Sequence, residues 1–197
     1  MSDLRTSTIH RRTAETDISV TLTLDGTGMA DIDTGIGFFD HMLTLFAKHS
    51  LTDLKVRAKG DLHVDYHHTV EDTGIVLGQA VKQALGNKHG IVRYGSMLLP
   101  MDETLARVVI DLSNRAYLEY RVPRGVEAIG LFPFQLVEEF MRAFAFNLAC
   151  NLHAEILCGR DAHHMAEALF KGLARALDQA MQRDVRVVGV PSTKDAL

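Results

Sequence analysis

The chain is 197 residues long, with 21 basic and 25 acidic side chains, a formal net charge of −4, and 47% hydrophobic and 23% charged residues. That balance excludes a polycation neutralising a run of phosphates, a disordered or collagen-like chain and a coiled coil. It leaves an ordinary globular protein with enough apolar residue for a sizeable core.

From the N-terminus, MSDLRTSTIHRR has no apolar signal core, and no later stretch is long and apolar enough for a membrane helix, so the expectation is a cytoplasmic protein with neither membrane nor nucleic-acid partner. Residues 5–33 read as β: Ile18, Val20, Leu22 and Leu24 alternate with Ser19, Thr21 and Thr23, and Asp25-Gly26-Thr27-Gly28 supplies a turn before Met29–Ile32, an antiparallel hairpin signal. Gly35 and Gly37 open a helix in which Phe38, Phe39, Met42, Leu43, Leu45 and Phe46 recur at helical spacing, and Leu54, Val56 and Ala58 alternate as a strand. A second helix covers residues 67–86 and closes on Gly86.

The same order returns in the second half. LARVVIDL and AYLEYRV are strand-like with Asn114 at the turn between them, Pro133 opens a helix, LHAEILC is a strand, and Asp161 caps a helix over residues 163–182. Cys150 and Cys158 lie in apolar runs, which fits small buried hydrophobes in a reducing compartment.

Placing Asp53-Leu54 on Asn151-Leu152 puts Phe46 on Phe144 and Asp40-His41 on Glu138-Glu139. After a two-residue length difference, His67-His68 falls on His163-His164 and Glu71 on Glu167. An internal repeat of roughly 95 residues is far longer than solenoid periods, so it implies two fused halves related by a pseudo-twofold. The fold class expected is α+β: two duplicated half-domains (about 1–90 and 91–185) and a C-terminal tail (about 186–197). Each half is a four-stranded antiparallel-type sheet backed by two helices. A sheet so covered has one dry face, so the two helix layers pack together in an α/β sandwich.

The chemistry concentrates in HHTVE and HHMAE, both His-His-x-x-Glu at the start of a helix, in a chain with ten histidines. On a helix, one histidine of the pair shares a side with the glutamate while its neighbour points about 100° away, so one motif can serve two ions. Imidazole with carboxylate and no thiolate favours an intermediate metal such as Mn²⁺, with Zn²⁺, Fe²⁺ or Co²⁺ as substitutes. His41, on the first helix, and His153, on a strand of the second half, are placed to complete the shells. The alternative for one such motif is a surface helix pair; two copies at matching repeat positions argue for metal. His10, His63 and His89 lie outside the motifs and are read as structural, as is the stripe Phe134, Phe140, Phe144, Phe146.

GIGFFDHML, HVDYHHTVEDTGIVLG, RYGSMLLPMDETLARVVIDLSNR, GRDAHHMAEALFKGLARAL and PSTK together resemble the imidazoleglycerol-phosphate dehydratase family over essentially the whole chain. The resemblance implies a ribosomal protein S5 domain 2-like fold and a lyase of histidine biosynthesis that dehydrates imidazole glycerol phosphate to imidazole acetol phosphate. It also implies two Mn²⁺ per active site, with ligands shared between subunits of a homo-oligomer of 24 chains built from trimers. By the same resemblance, His41, His68, Glu71 and His164 hold one ion and His67, His153, His163 and Glu167 the other. Glu15 matches the acid/base glutamate, His49 and Lys171 face the substrate chain, and Glu71 and Glu167 belong to the catalytic set through the metals. Arg93, Arg115, Ser192 and Lys194 bind the phosphate, with Glu15 also at the substrate. Many relatives carry Gln where Leu45 stands and Gly where Asp195 stands, and either departure implies weaker substrate binding.

Two other functions fit parts of this pattern. A di-metal hydrolase would draw on Asp-rich bridging ligands, whereas this set is mostly histidine. A metal-storage protein would have no need of the anion set or of Glu15.

Overall fold

The computed structural model describes residues 4–194. The first half runs β1 (Thr6–Arg12), β2 (Thr16–Thr23), β3 (Ala30–Asp33), α1 (Gly37–Ser50), β4 (Asp53–Gly60) and α2 (His67–Leu85). The second runs β5 (Tyr94–Met101), β6 (Thr104–Asp111), β7 (Tyr117–Arg121), α3 (Leu136–Leu148), β8 (Asn151–Cys158) and α4 (Ala162–Met181). The sheets have orders β1-β2-β4-β3 and β5-β6-β8-β7, the same topology twice. The duplication read from the sequence is therefore a duplication of fold.

In each sheet the alternating strand residues turn inward: Ile18, Val20 and Leu22 on β2, and Ala106, Val108 and Ile110 on β6, are all fully buried. Helix α2 packs on β1 and β2 of its own half and α4 on β5 and β6 of its own. Between the halves, α1 meets α4 and α2 meets α3. This makes the expected sandwich, with the helices enclosed between two sheets. Phe46 and Phe144, which the repeat places on each other, meet edge to face with ring centroids 6.0 Å apart. Gly74 and Gly78 let α2 approach α3 closely, because a Cβ at Gly78 would lie 2.6 Å from the Phe144 carbonyl oxygen.

Several local expectations need correction. The sheets are mixed: β3 pairs parallel with β4, and β7 with β8, because a helix connects each pair and a crossover of that kind returns the chain in the same direction. The hairpin is β1–β2, turning at residues 13–15, while the Asp25–Gly28 turn leads instead to β3 on the far side of β4. Strand β5 has no clean apolar alternation in its sequence, YGSMLLPM, because α4 packs so closely on it that the inward position 95 is glycine: a Cβ there would lie 1.8 Å from the Ala176 carbonyl oxygen. Helix α3 starts at Leu136, three residues beyond Pro133. Cys150 is buried but Cys158, at the end of β8, is exposed.

Candidate metal centre

The packing of α1 on α4 brings His41 to the start of the second half's last helix. Its Nε2 lies 2.8 Å from Glu167 Oε1, and His163 Nε2 lies 2.9 Å from the same oxygen. The three ligand atoms fall within 4.8 Å of one another, a spacing at which two imidazole nitrogens and a carboxylate oxygen can share one cation. The other oxygen, Oε2, accepts from Lys171 Nζ at 2.5 Å. Burial works against ionising Glu167, but the hydrogen bonds from Lys171, His41 and His163 outweigh it and hold the carboxyl at about 2. The carboxylate is thus ready to ligate at neutral pH.

The Asp161 side chain accepts from the His164 backbone N–H at 3.0 Å, which starts α4 with the His-His pair in its first turn. The ring planes of His163 and His164 cross at 84° and those of His67 and His68 at 87°, and the two members of each pair engage different carboxylates. In both motifs the first histidine shares the face of the glutamate: His163 with Glu167, and His67 with Glu71 at 3.8 Å. The second histidine of each pair is backed by a carboxylate that the sequence reading did not identify. His68 Nδ1 lies 3.0 Å from Asp61 Oδ2, and His164 Nδ1 lies 2.8 Å from Glu103 Oε2. These hydrogen bonds raise both imidazoles above the usual histidine value.

Within one chain His41 stands with His163 and Glu167, because α1 packs across the pseudo-twofold onto α4. His153 is exposed on β8 with its ring 5.7 Å from that of Tyr117, and it does not join the cluster among the described residues.

Glu15, at the β1–β2 tip, places Oε1 3.9 Å from His68 Nε2. Its hairpin is tied to α2 by Asp72, whose Oδ2 accepts from Thr16 Oγ1 and pairs with Arg11 Nη1, each at 2.5 Å. His49, in the last turn of α1, is held below the usual histidine value by burial, then by the charges of Lys171 and Arg175. Lys171 is tied to the His41 cluster through Glu167, and its charge reaches His49. Leu45, the first departure from the family's pattern, is half-buried against the core; Asp195, the second, lies outside the described residues.

The anion residues form a separate open cleft of about 650 Å³, lined by Arg93, Arg115 and residues 191–194 with Ser192 and Lys194. Here Arg93, which lines the cleft, has a further task. Its Nε and Nη2 lie 2.7 and 3.2 Å from the two Asp111 carboxylate oxygens, and Nη1 donates to the Pro191 carbonyl at 2.7 Å. Most of its donors are thereby engaged in fixing the tail that carries Ser192 and Lys194. Arg115 is exposed, 3.7 Å from Asp111.

Behind this cleft lies a lysine absent from the sequence reading. Lys88 is 2% exposed and donates to the Leu112 carbonyl at 3.0 Å and to Asn114 Oδ1 at 2.7 Å, bracing the turn before Arg115. Burial lowers its amine from 10.5 to about 8. Below that value the folded state bears the full cost of a buried charge, and the cost is relieved as pH rises toward 10.5. The Lys88 contribution to stability should therefore increase with pH across this window, by up to roughly 3 kcal/mol. Urea midpoints at pH 8 and pH 10 should diverge less in Lys88→Met than in the unsubstituted protein; equal divergence would refute a depressed Lys88.

The two sites are far apart within one chain. The Arg93 N–H bonds to the Ala180 carbonyl near the end of α4, whereas Glu167 lies near its start. Thirteen residues separate them, about 20 Å at the helical rise per residue.

A family model for imidazoleglycerol-phosphate dehydratase matches residues 34–177. The chain is 58% identical over 195 residues to the imidazoleglycerol-phosphate dehydratase of Methylorubrum extorquens, covering 98% of this chain and 100% of the relative. It is 60% identical over 196 residues to that of Akkermansia muciniphila, again covering 98% and 100%. Among solved structures, imidazoleglycerol-phosphate dehydratase from Staphylococcus aureus superposes with a TM-score of 0.83 at 40% identity, covering 91% of this chain and 99% of the other. IGPD from Pyrococcus furiosus in complex with (S)-C348 gives a TM-score of 0.83 at 37% identity, covering 96% and 100%.

Proposed function

The chain belongs to the imidazoleglycerol-phosphate dehydratase family, and from that premise we propose that it is a Mn²⁺-dependent hydro-lyase converting imidazole glycerol phosphate to imidazole acetol phosphate in histidine biosynthesis. The observation that carries the metal dependence is the convergence of His41, His163 and Glu167, an ionised carboxylate between two imidazoles. The donor set fits Mn²⁺ by its chemistry: nitrogen and oxygen ligands without thiolate. We assign two ions per active site to His41, His67, His68, Glu71, His153, His163, His164 and Glu167. When bound, they supply Lewis acidity and a template for the substrate's imidazole ring. Glu15 moves the proton that dehydration must take from carbon, His49 and Lys171 orient the glycerol chain, and Arg93, Arg115, Ser192 and Lys194 hold the phosphate, Arg93 also anchoring the tail.

The substrate measures about 8 Å from ring to phosphate at roughly 1.5 Å per bond. It is too short for the separation of metal cluster and anion cleft along α4, which supports an active site between two copies of the chain. The assembly is accordingly a homo-oligomer, and the 24-subunit form that the resemblance implies is our reading of its size. No helix among the described residues is long and apolar enough to cross a membrane, in keeping with a cytoplasmic enzyme.

The test is conversion of imidazole glycerol phosphate before and after stripping with a chelator. Activity should disappear, the particle should fall to smaller species in sedimentation, and Mn²⁺ should restore both, because ligands drawn from separate elements and chains repel or lie unpaired without the charge they surround. A stripped protein that keeps its rate would refute the metal assignment.

A further inference from the structure

The two hairpin tips are counterparts in the duplicated fold: Glu15-Thr16 turns into β2 and Glu103-Thr104 into β6, and both threonines are buried at the start of their strands. Their glutamates nevertheless do different things. Glu103 reaches His164 Nδ1 at 2.8 Å, whereas Glu15 stands 3.9 Å from the opposite ring edge of His68, at Nε2. In the first half the Nδ1 task belongs to Asp61, which follows Gly60 after β4 and lies 3.0 Å from His68 Nδ1. After Gly159 in the second half stands Arg160, a residue that cannot accept. Two carboxylates from non-equivalent loops thus make the same contact on equivalent histidines.

A neutral imidazole that donates Nδ1–H to a carboxylate has a lone pair on Nε2, the form that ligates a metal, and its orientation is fixed. We propose that Asp61 and Glu103 are positioning residues that hold the Nδ1 edges of His68 and His164, so that each ring presents Nε2 to a metal ion. The use of Asp61 in the first half is what leaves the hairpin-tip carboxylate of Glu15 uncommitted and available to move a proton. The inference rests on the metal reading above.

The test uses the full-length protein. Glu103 also accepts from the backbone N–H groups of Arg160 and Asp161, so its loss would loosen the start of α4. Asp61 has no second partner of this kind among the side-chain hydrogen bonds of the described residues, so Asp61→Ala carries the test and Glu103→Gln accompanies it. Mn²⁺ affinity, followed by titration against the free-ion electron paramagnetic resonance signal, should fall by about 10- to 100-fold in each variant. In the metal-free state, at a pH high enough that the ring is neutral, histidine ¹⁵N shifts should report the Nδ1–H tautomer for His68 and its loss in Asp61→Ala, a change that a purely structural role would not produce. Wild-type affinity with an unchanged tautomer in Asp61→Ala would overturn the proposal. Should the unsubstituted protein take up no Mn²⁺, the metal reading falls instead, and the tautomer alone decides the positioning.

Discussion

Glu15→Gln should lower kcat by about 10²-fold or more with its Mn²⁺ content unchanged, since glutamine keeps the size and polarity of the side chain but cannot accept a proton. Its position in the fold supports this role: the carboxylate is exposed at a hairpin tip, 3.9 Å from His68 Nε2, and the hairpin is pinned to α2 through Thr16, Arg11 and Asp72. Lys194→Ala should instead act mainly through KM, raising it by roughly tenfold, because the phosphate does not react and its binding is shared by ground and transition states. Arg93→Ala is a third kind of lesion. It frees the tail at Pro191 and leaves Asp111 half-buried without its partner, so both kinetic constants and the melting temperature should suffer. Steady-state kinetics with metal analysis on the three variants separates these outcomes. Near-normal kcat in Glu15→Gln would move proton transfer elsewhere, with His49 the next candidate.

The second large effect is complementation between defective chains. Glu167→Gln should be inactive through the metal cluster, and the double variant Arg115→Ala, Lys194→Ala nearly so through the cleft. When the two are co-expressed in equal amounts, a site drawing its cluster from one chain and its cleft from another is intact in about a quarter of random pairings. About that fraction of wild-type activity should return. If cluster and cleft of the same chain served one substrate, each chain would carry a defect and nothing would be recovered.

Much of this fold was legible in the residues. Helical spacing in Phe38–Phe46 and strand alternation in Leu54–Ala58 are local signals, and the match of Phe46 to Phe144 and of His67-His68 to His163-His164 carried the duplication. What the residues hid was pairing. A four-residue β3 says nothing by itself of which strand it joins, although the helix between β3 and β4 already required them to run parallel. Strand β5 lacked apolar alternation although α4 covers one of its faces, because the inward residue at that contact is Gly95.

The site was legible as a list and not as an arrangement. Histidine and glutamate at i and i+4 announce a shared face, but that His41 joins His163 and Glu167 depends on α1 crossing onto α4, a contact 126 residues apart for His41 and Glu167. That Arg93 also ties down the tail was hidden, because nothing local shows that Asp111 and Pro191 engage it. Glu103 had a signal that could have been followed, the repeated Glu-Thr at residues 15–16 and 103–104, whereas Asp61 had none.

The same His and Glu shells with a nearby anion cleft would also serve a metal-dependent phosphatase, so the identity of the product is the most direct test of the dehydratase assignment. The Mn²⁺-loaded protein should be incubated with imidazole glycerol phosphate and the products followed by ³¹P and ¹H nuclear magnetic resonance. A dehydratase yields one ketone per substrate consumed, with the phosphate ester intact and no inorganic phosphate. Release of inorganic phosphate with the glycerol hydroxyls retained would contradict it.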